Sequence, residues 1–214
     1  NFVIQDATSG IQVISANSSG DIKVGQQLQI TGHVVFNKGL THFVLENIVS
    51  THEGTALSPE RVDLADLASY EKAELLEGKL ISIKGKVSNI PTIGTNLNIT
   101  VQDEENTAIV QVLGVTGIDV DKLLAVNETY TFVGIVGQSK LNDPYTSGYH
   151  VTLRSAEDII GGLALSHEPI TETYPGIDIS FTANAKYTDS VTLYYRSKGK
   201  HNYQMIEMKI GKEV

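Results

Sequence analysis

The stretch FVIQDATSGIQVI, Phe2 to Ile14, decides the fold, because the chain spells it twice. The second spelling is ITVQDEENTAIVQV, Ile99 to Val112. Each has an alternating apolar run, then Gln-Asp, then a short polar turn, then a second alternating run. Alternation at period two predicts a strand with one buried face. In the first turn, Asp6, Thr8 and Ser9 offer side-chain acceptors and Gly10 tolerates positive φ. An Asp at a strand end accepts backbone N–H groups and sets such a turn. Asp6 and Asp103 therefore read as turn builders. The competing reading makes Gln5-Asp6 and Gln102-Asp103 polar pairs at a ligand groove.

Outward from these stretches the correspondence continues. Gln5-Asp6 and Gln102-Asp103 are 97 positions apart. LQITGHVV (28–35) matches YTFVGIVG (130–137), which sets Gly32 against Gly134, and FVLENI (43–48) matches HVTLRSAEDI (150–159). A glycine inside a long strand predicts a bulge or bend. The residues ANSSGD (16–21) read as a loop. Four strands thus recur in one order, the mark of a module used twice. The second copy also has a strand before its Gln-Asp strand, KLISIKGKV (79–87), with no counterpart before the first. That strand of the first copy is expected upstream in a longer parent chain, outside the resolved residues, or supplied by another chain.

Between the copies, TALSPERVDLADLASYEKAELL (55–76) has leucines and alanines near helical spacing and predicts one or two short linker helices. GIDVDKLLAV (117–126) predicts a short helix with Asp119 near its N-terminus. Five strands of uneven length, a helix between the third and fourth, and a glycine bend describe the Greek-key barrel of the OB fold. Residues 166–214 differ: an extended lead-in and a strand precede a hairpin whose tip is RSKGKHN (196–202). The expected fold class is all-β with short linker helices: two OB-like Greek-key barrels in tandem plus a partial β-sandwich. The expected boundaries are 1–54 for a first module lacking its first strand, 55–76 for the helical linker, 77–163 for the second module and 164–214 for the sandwich.

FVIQDATSGIQV followed by VGQQLQITGHVVFNKG (24–39) resembles the OB-like modules of Gram-positive secreted nucleases of the YhcR type, and related modules of surface phosphoesterases and lamin-tail proteins. YEKAELLEGKLISIKGKV (70–87) resembles the joint before a second such module. The resemblance covers about residues 1–160. It implies an extracellular or cell-surface bacterial location and a place beside a nuclease or phosphoesterase. The catalytic residues of those proteins lie in other domains, so the resemblance implies no catalytic residue here. The last segment resembles the opening strands of an immunoglobulin-like or fibronectin-type-III-like sandwich.

The chain has 214 residues and no cysteine, which excludes disulfides, thiolate catalysis and Cys-ligated zinc. No window is apolar enough to span a bilayer, so no membrane insertion is expected. The net charge of −9 divides as −2, −3, −4 and 0 over residues 1–54, 55–76, 77–160 and 161–214. A protein that grips phosphates tightly wants a basic face, and no segment is net positive. The histidines His33, His42, His52, His150, His167 and His201 lack metal-ligand spacing. A metal pair of His33 and His42 across a hairpin is the less common alternative to exposed strand histidines. No cofactor is expected. The one carboxylate set considered for calcium is Asp103, Glu104, Asp119 and Asp121, with Glu105 beside them; it lacks the full calcium-loop pattern.

On an OB barrel, stacking aromatics and cations on the wall and rim loops hold ligand. The candidates are Phe36, Lys38, His42 and Phe43 in the first copy and Lys140, Tyr145, Tyr149 and His150 in the second. Arg196, Lys198 and Lys200 on the basic hairpin tip are further candidates, flanked by Tyr194, Tyr195 and Tyr203. The function expected is a non-catalytic accessory region that holds single-stranded nucleic acid or a cell-wall polymer weakly for other domains of its parent chain. The alternative is a structural or adhesive module that assembles, as a strand-exchange homo-oligomer, by β-strand addition at an open barrel edge.

Overall fold

The computed structural model describes residues 1–15, 22–162, 164–167, 170–174, 176, 178–186 and 190–209; the predicted loop 16–21 lies outside them. They divide into two units, residues 1–160 and 161–214.

In the first unit the elements run β1 (Phe2–Gln5), β2 (Gly10–Ile14), β3 (Gln27–Asn37), β4 (Leu40–His52), β5 (Glu60–Arg61), α1 (Leu64–Ala68), α2 (Tyr70–Leu76), β6 (Leu80–Asn89), β7 (Leu97–Gln102), β8 (Thr107–Val112), α3 (Val120–Leu123), β9 (Thr129–Gln138), β10 (Tyr149–Thr152) and β11 (Ile159–Gly161). Strands β6 to β10 close into a five-stranded barrel in the order β6-β7-β8-β10-β9, and β9 returns to β6. β8 and β10 pair in parallel and the other neighbours are antiparallel. This is the Greek-key order of the OB fold. Strand β6 is the closing stave, paired with β7 on one side and along its length with β9 on the other.

Alternation in the sequence becomes inside and outside in the barrel. Ile81, Ile83 and Val87 of β6, Ile99 and Val101 of β7, Val110 of β8, Phe132 and Val136 of β9, and Val151 of β10 are buried in one cluster. Burying each such side chain stabilises by about 1.5–3 kcal/mol. The helices between the copies add to that cluster: Leu64 and Leu67 of α1 and Ala73 and Leu76 of α2 are buried in it. Their near-helical spacing marks the stripe that faces the barrel. The short helix α3 forms where predicted. Asp119 makes no side-chain cap there and instead pairs with Lys122 at 2.6 Å.

The first copy is a four-stranded sheet, β1-β2-β4-β3. Its registers repeat those of the barrel. Phe2 opposes Val13 as Ile99 opposes Val110, and Ile4 opposes Ile11 as Val101 opposes Ala108. β2 and β4 pair in parallel, with Val13 opposite Phe43 as Val110 is opposite Val151. The glycines agree as well. A Cβ on Gly32 would lie 2.0 Å from the Val44 carbonyl oxygen and 2.7 Å from Phe43; one on Gly134 would lie 2.5 Å from that of Thr152 and 2.7 Å from Val151. In both copies the following strand crosses so closely that only glycine fits. The bend predicted at Gly32 coincides with register shifts between Gln29 and Ile30 and between Thr31 and Gly32.

The two turns after Gln-Asp are equivalent. Asp6 Oδ1 accepts from the Thr8 and Ser9 amides and the Thr8 hydroxyl; Asp103 Oδ1 accepts from the Glu105 and Asn106 amides. The Thr8 hydroxyl, followed by the turn amides, brings the Asp6 carboxyl down to about 2. The Asp residues are turn builders, as read from the sequence.

In the second unit, β12 (Ala164–His167) pairs with β13 (Ala183–Lys186), and β14 (Thr192–Tyr195) with β15 (Gln204–Glu207), both antiparallel. The hairpin predicted around RSKGKHN is β14–β15.

A methyl group at Gly134 has no room beside the Thr152 carbonyl. Gly134→Ala should lower the urea unfolding free energy by about 1–3 kcal/mol, whereas Leu141→Ala, at a side chain 78% exposed, should leave it unchanged.

Candidate ligand-binding surface

The tip of the β3–β4 hairpin meets the loop between β9 and β10, and the two loops form one rim. The tip is a tight turn: Lys38 and Gly39 have φ of 53° and 95°, the left-handed pair that a two-residue hairpin requires. The Lys140 amide donates to the Lys38 carbonyl at 3.1 Å. Gly39 sits against Gln138, where a Cβ would lie 2.1 Å from its Oε1. Gln138 Nε2 in turn donates to the Tyr145 and Ser147 carbonyls at 2.9 and 3.0 Å, and Lys140 Nζ donates to the Pro144 carbonyl. These bonds hold the loop so that Tyr145 packs edge-on against Phe36, with ring centroids 5.3 Å apart and planes at 80°. Phe36 keeps 60% of its surface exposed, and Lys38 is exposed beside it.

Phe36, Lys38, Lys140 and Tyr145, candidates from two separate copies, therefore share one rim. The other candidates lie elsewhere. Phe43 packs beside Gly32 on the inner face of the first sheet. His42 is buried, its Nδ1 has no hydrogen-bond partner among the described residues, and burial pushes its pKa down. Tyr149 is buried and its hydroxyl donates to Glu74 Oε2 at 2.5 Å; burial first, then Glu74, pushes that phenol up. His150 stands on the outer wall with its ring over Gly137, its Nδ1 3.1 Å from the Gly148 carbonyl and its pKa lowered by burial. His42 and His150 occupy the same register position in the two copies. His33 Nδ1 lies 3.0 Å from Glu46 Oε1 and stands opposite Val44, while His42 stands opposite Val35. In the second unit Arg196 lies 4.9 Å over the Tyr203 ring, and its Nη1 donates to the Lys200 carbonyl at 3.4 Å; Lys198 is exposed in the turn between them.

The rim is one end of a seam that the sequence did not reveal. Gln5 Oε1 accepts from the Leu80 amide at 2.7 Å, and Glu77 Oε1 accepts from the Thr41 amide at 2.8 Å. Gly10 and Gly78 approach so closely that a Cβ on Gly10 would fall 2.1 Å from the Gly78 carbonyl oxygen. The first sheet thus docks its outer face, the side of Gln5, Gly10 and His42, onto the turn between α2 and β6. Gln5 is half of the Gln-Asp pair, so that pair divides its work: the Asp builds a turn and the Gln joins the two copies.

A concavity of about 560 Å³ lies on the barrel wall, lined by Arg61, Lys84, Lys86, Gln102, Asp103 and Glu104 among others. Cations and carboxylates both face it. Lys84 and Lys86 are visible in the sequence as one side of β6; Arg61 joins them only because β5 pairs with β6. Of the carboxylates considered for calcium, Asp103 is taken up by its own turn and Asp119 by Lys122. Among the described residues no group of three or more His, Cys, Asp or Glu side chains gathers to hold a metal ion, and no helix is long and apolar enough to cross a membrane.

No protein-family model matches the chain, and no curated protein matches it. Solved structures are similar to parts of it. Asparaginyl-tRNA synthetase from Pyrococcus horikoshii is 19% identical over 45% of this chain and 22% of its own, with a TM-score of 0.35. The OBody AM2EP06, solved bound to hen egg-white lysozyme, is 19% identical over 49% of this chain and 95% of its own, with a TM-score of 0.38. A murine DNA binding protein, solved bound with double-stranded DNA, is 13% identical over 70% of this chain and 78% of its own, with a TM-score of 0.34. The chain therefore spans 22% of the length of that synthetase. The barrel is identified by its own strand order and registers.

Burial pushes the Glu77 carboxyl above its ordinary range, the Thr41 amide partly offsets this, and the nearby Glu74 charge adds to it. A carboxyl raised in the folded state favours the protonated form. Its contribution is fully present below its ordinary pKa and is lost as pH rises through the raised value. Glu77→Gln keeps an acceptor for Thr41 and removes the charge. Its melting temperature should exceed that of the parent by about 1–3 °C at pH 7, and the advantage should vanish at pH 4.

Proposed function

We propose that residues 1–160 are a non-catalytic, ligand-holding module of a larger secreted or cell-surface bacterial protein. Its ligand is single-stranded nucleic acid, held weakly at the rim on behalf of an attached nuclease or phosphoesterase. The observation that carries this reading is the convergence of Phe36, Lys38, Lys140 and Tyr145 from two copies onto one rim, with the Phe36 ring braced by Tyr145 and left open. An exposed aromatic face stacks any base, and an adjacent lysine meets the phosphate. The net negative charge of residues 1–160 keeps the affinity low and steeply dependent on salt. The likeness of the repeated phrase to modules of YhcR-type secreted nucleases supports the location and the partner domain. A cell-wall polymer carrying phosphates would meet the same rim.

A second reading, a structural module joined to neighbours by strand addition, is favoured by the two edge strands of the first sheet, β1 and β3, each of which has one paired neighbour among the described residues.

Titration with a fluorescent oligothymidylate tests the first reading. Binding at low salt should weaken steeply at moderate salt. Phe36→Ala should weaken it about tenfold, within the roughly 1–3 kcal/mol of one stacked base, and Lys38→Glu should weaken it further, with circular dichroism unchanged for both. Absence of binding at low salt removes the reading.

A further inference from the structure

The first copy is the second barrel with one stave removed, and the second barrel shows what that stave looks like. In the barrel, β6 stands between β7 and β9, antiparallel to both. The equivalent strands of the first copy are β1 and β3. Each has a single paired neighbour among the described residues, β2 and β4 respectively. Register equivalence pairs Ile30 with Phe132 and Val34 with Val136 across the two copies. Phe132 and Val136 are 0% and 1% exposed under β6; Val34 is 62% exposed and Ile30 is half-buried. The apolar inner face is therefore uncovered where the stave would lie. The seam does not fill the gap, because the first sheet docks by its outer face.

We propose that this gap is an acceptor for one extended polypeptide strand from outside the described residues. It runs antiparallel to both β1 and β3 and carries the chemistry of β6. In β6 the inward residues are Ile81, Ile83, Gly85 and Val87, and the outward ones include Lys84 and Lys86. Carried over by register, a branched aliphatic faces Gly32, the next inward one faces Ile30, and a glycine faces Leu28. The fourth inward residue, a valine, opposes Ile4. Backbone hydrogen bonds to both edges bind the strand, and the alternating aliphatics choose it. The inference rests on the second reading above and names the partner.

The test is a synthetic peptide with the sequence of Lys79–Asn89, titrated into the 214-residue chain by calorimetry and followed by amide exchange. The expected result is one-to-one binding, slowed exchange in β3, and at least about tenfold weaker binding by Val34→Lys, which sets a like charge against the peptide's Lys79; that residue is exposed, so the variant should melt with the parent. A peptide with Asp for Ile81 and Ile83 should not bind. Binding of the acidic peptide as tightly as the parent peptide overturns the partner chemistry alone. Binding of neither peptide by a chain that sediments as a monomer overturns both the partner and strand addition. A chain that dimerises through β3 without peptide overturns the proposal in favour of a second copy as occupant.

Discussion

The structure depends on one stave. Strand β6 pairs with β7 and β9 at once, and with it in place five strands have no free edge. Closure removes two rows of unpaired backbone groups and buries Phe132, Val136, Ile99 and Val101 together. Without it, the same registers, turns and crossing glycine yield the first sheet, in which the position matching Val136 is largely exposed. Among the described residues, the two copies thus compare a barrel with and without its closing strand.

That difference organises the unit. The complete barrel has α1 and α2 packed into its core. The open copy leans on it through Gln5, Gly10, Thr41 and the β3–β4 tip, using its polar outer face. The docking brings Phe36 to Tyr145 and Lys38 to Lys140, so the rim exists only because the copies are joined. A ligand at the rim would therefore touch both copies, and a strand in the gap would stiffen β3, whose tip carries Phe36. The two proposals concern different surfaces linked by one strand.

Much of this was legible in the sequence because it is local. The repeated alternation, the Asp turns, the glycines at 32 and 134 and the short helix near Asp119 follow from period, turn chemistry and backbone sterics within a few residues. The seam was not, since Gln5 to Leu80 spans 75 positions and Thr41 to Glu77 spans 36, and no periodicity records a side-chain contact at that distance. For the same reason Phe36 and Tyr145 could be named as candidates but not as a pair. Nothing in the sequence sets Arg61 beside Lys84 and Lys86; the pairing of β5 with β6 does. Conversely, Phe43, His42 and Tyr149 looked like rim residues by type, and packing on the sheet's inner face, at the seam and in the barrel claimed them.

The most direct measurement is amide exchange at two equivalent positions. The Val136 amide donates to the Lys79 carbonyl at 3.0 Å, at the head of the closing stave. Register equivalence turns the Val34 amide toward the same place in the first copy, where no strand stands among the described residues. The account predicts strong protection at Val136 and exchange near the unprotected rate at Val34. Equal, strong protection at both would contradict it, because the gap in the first copy would then be closed.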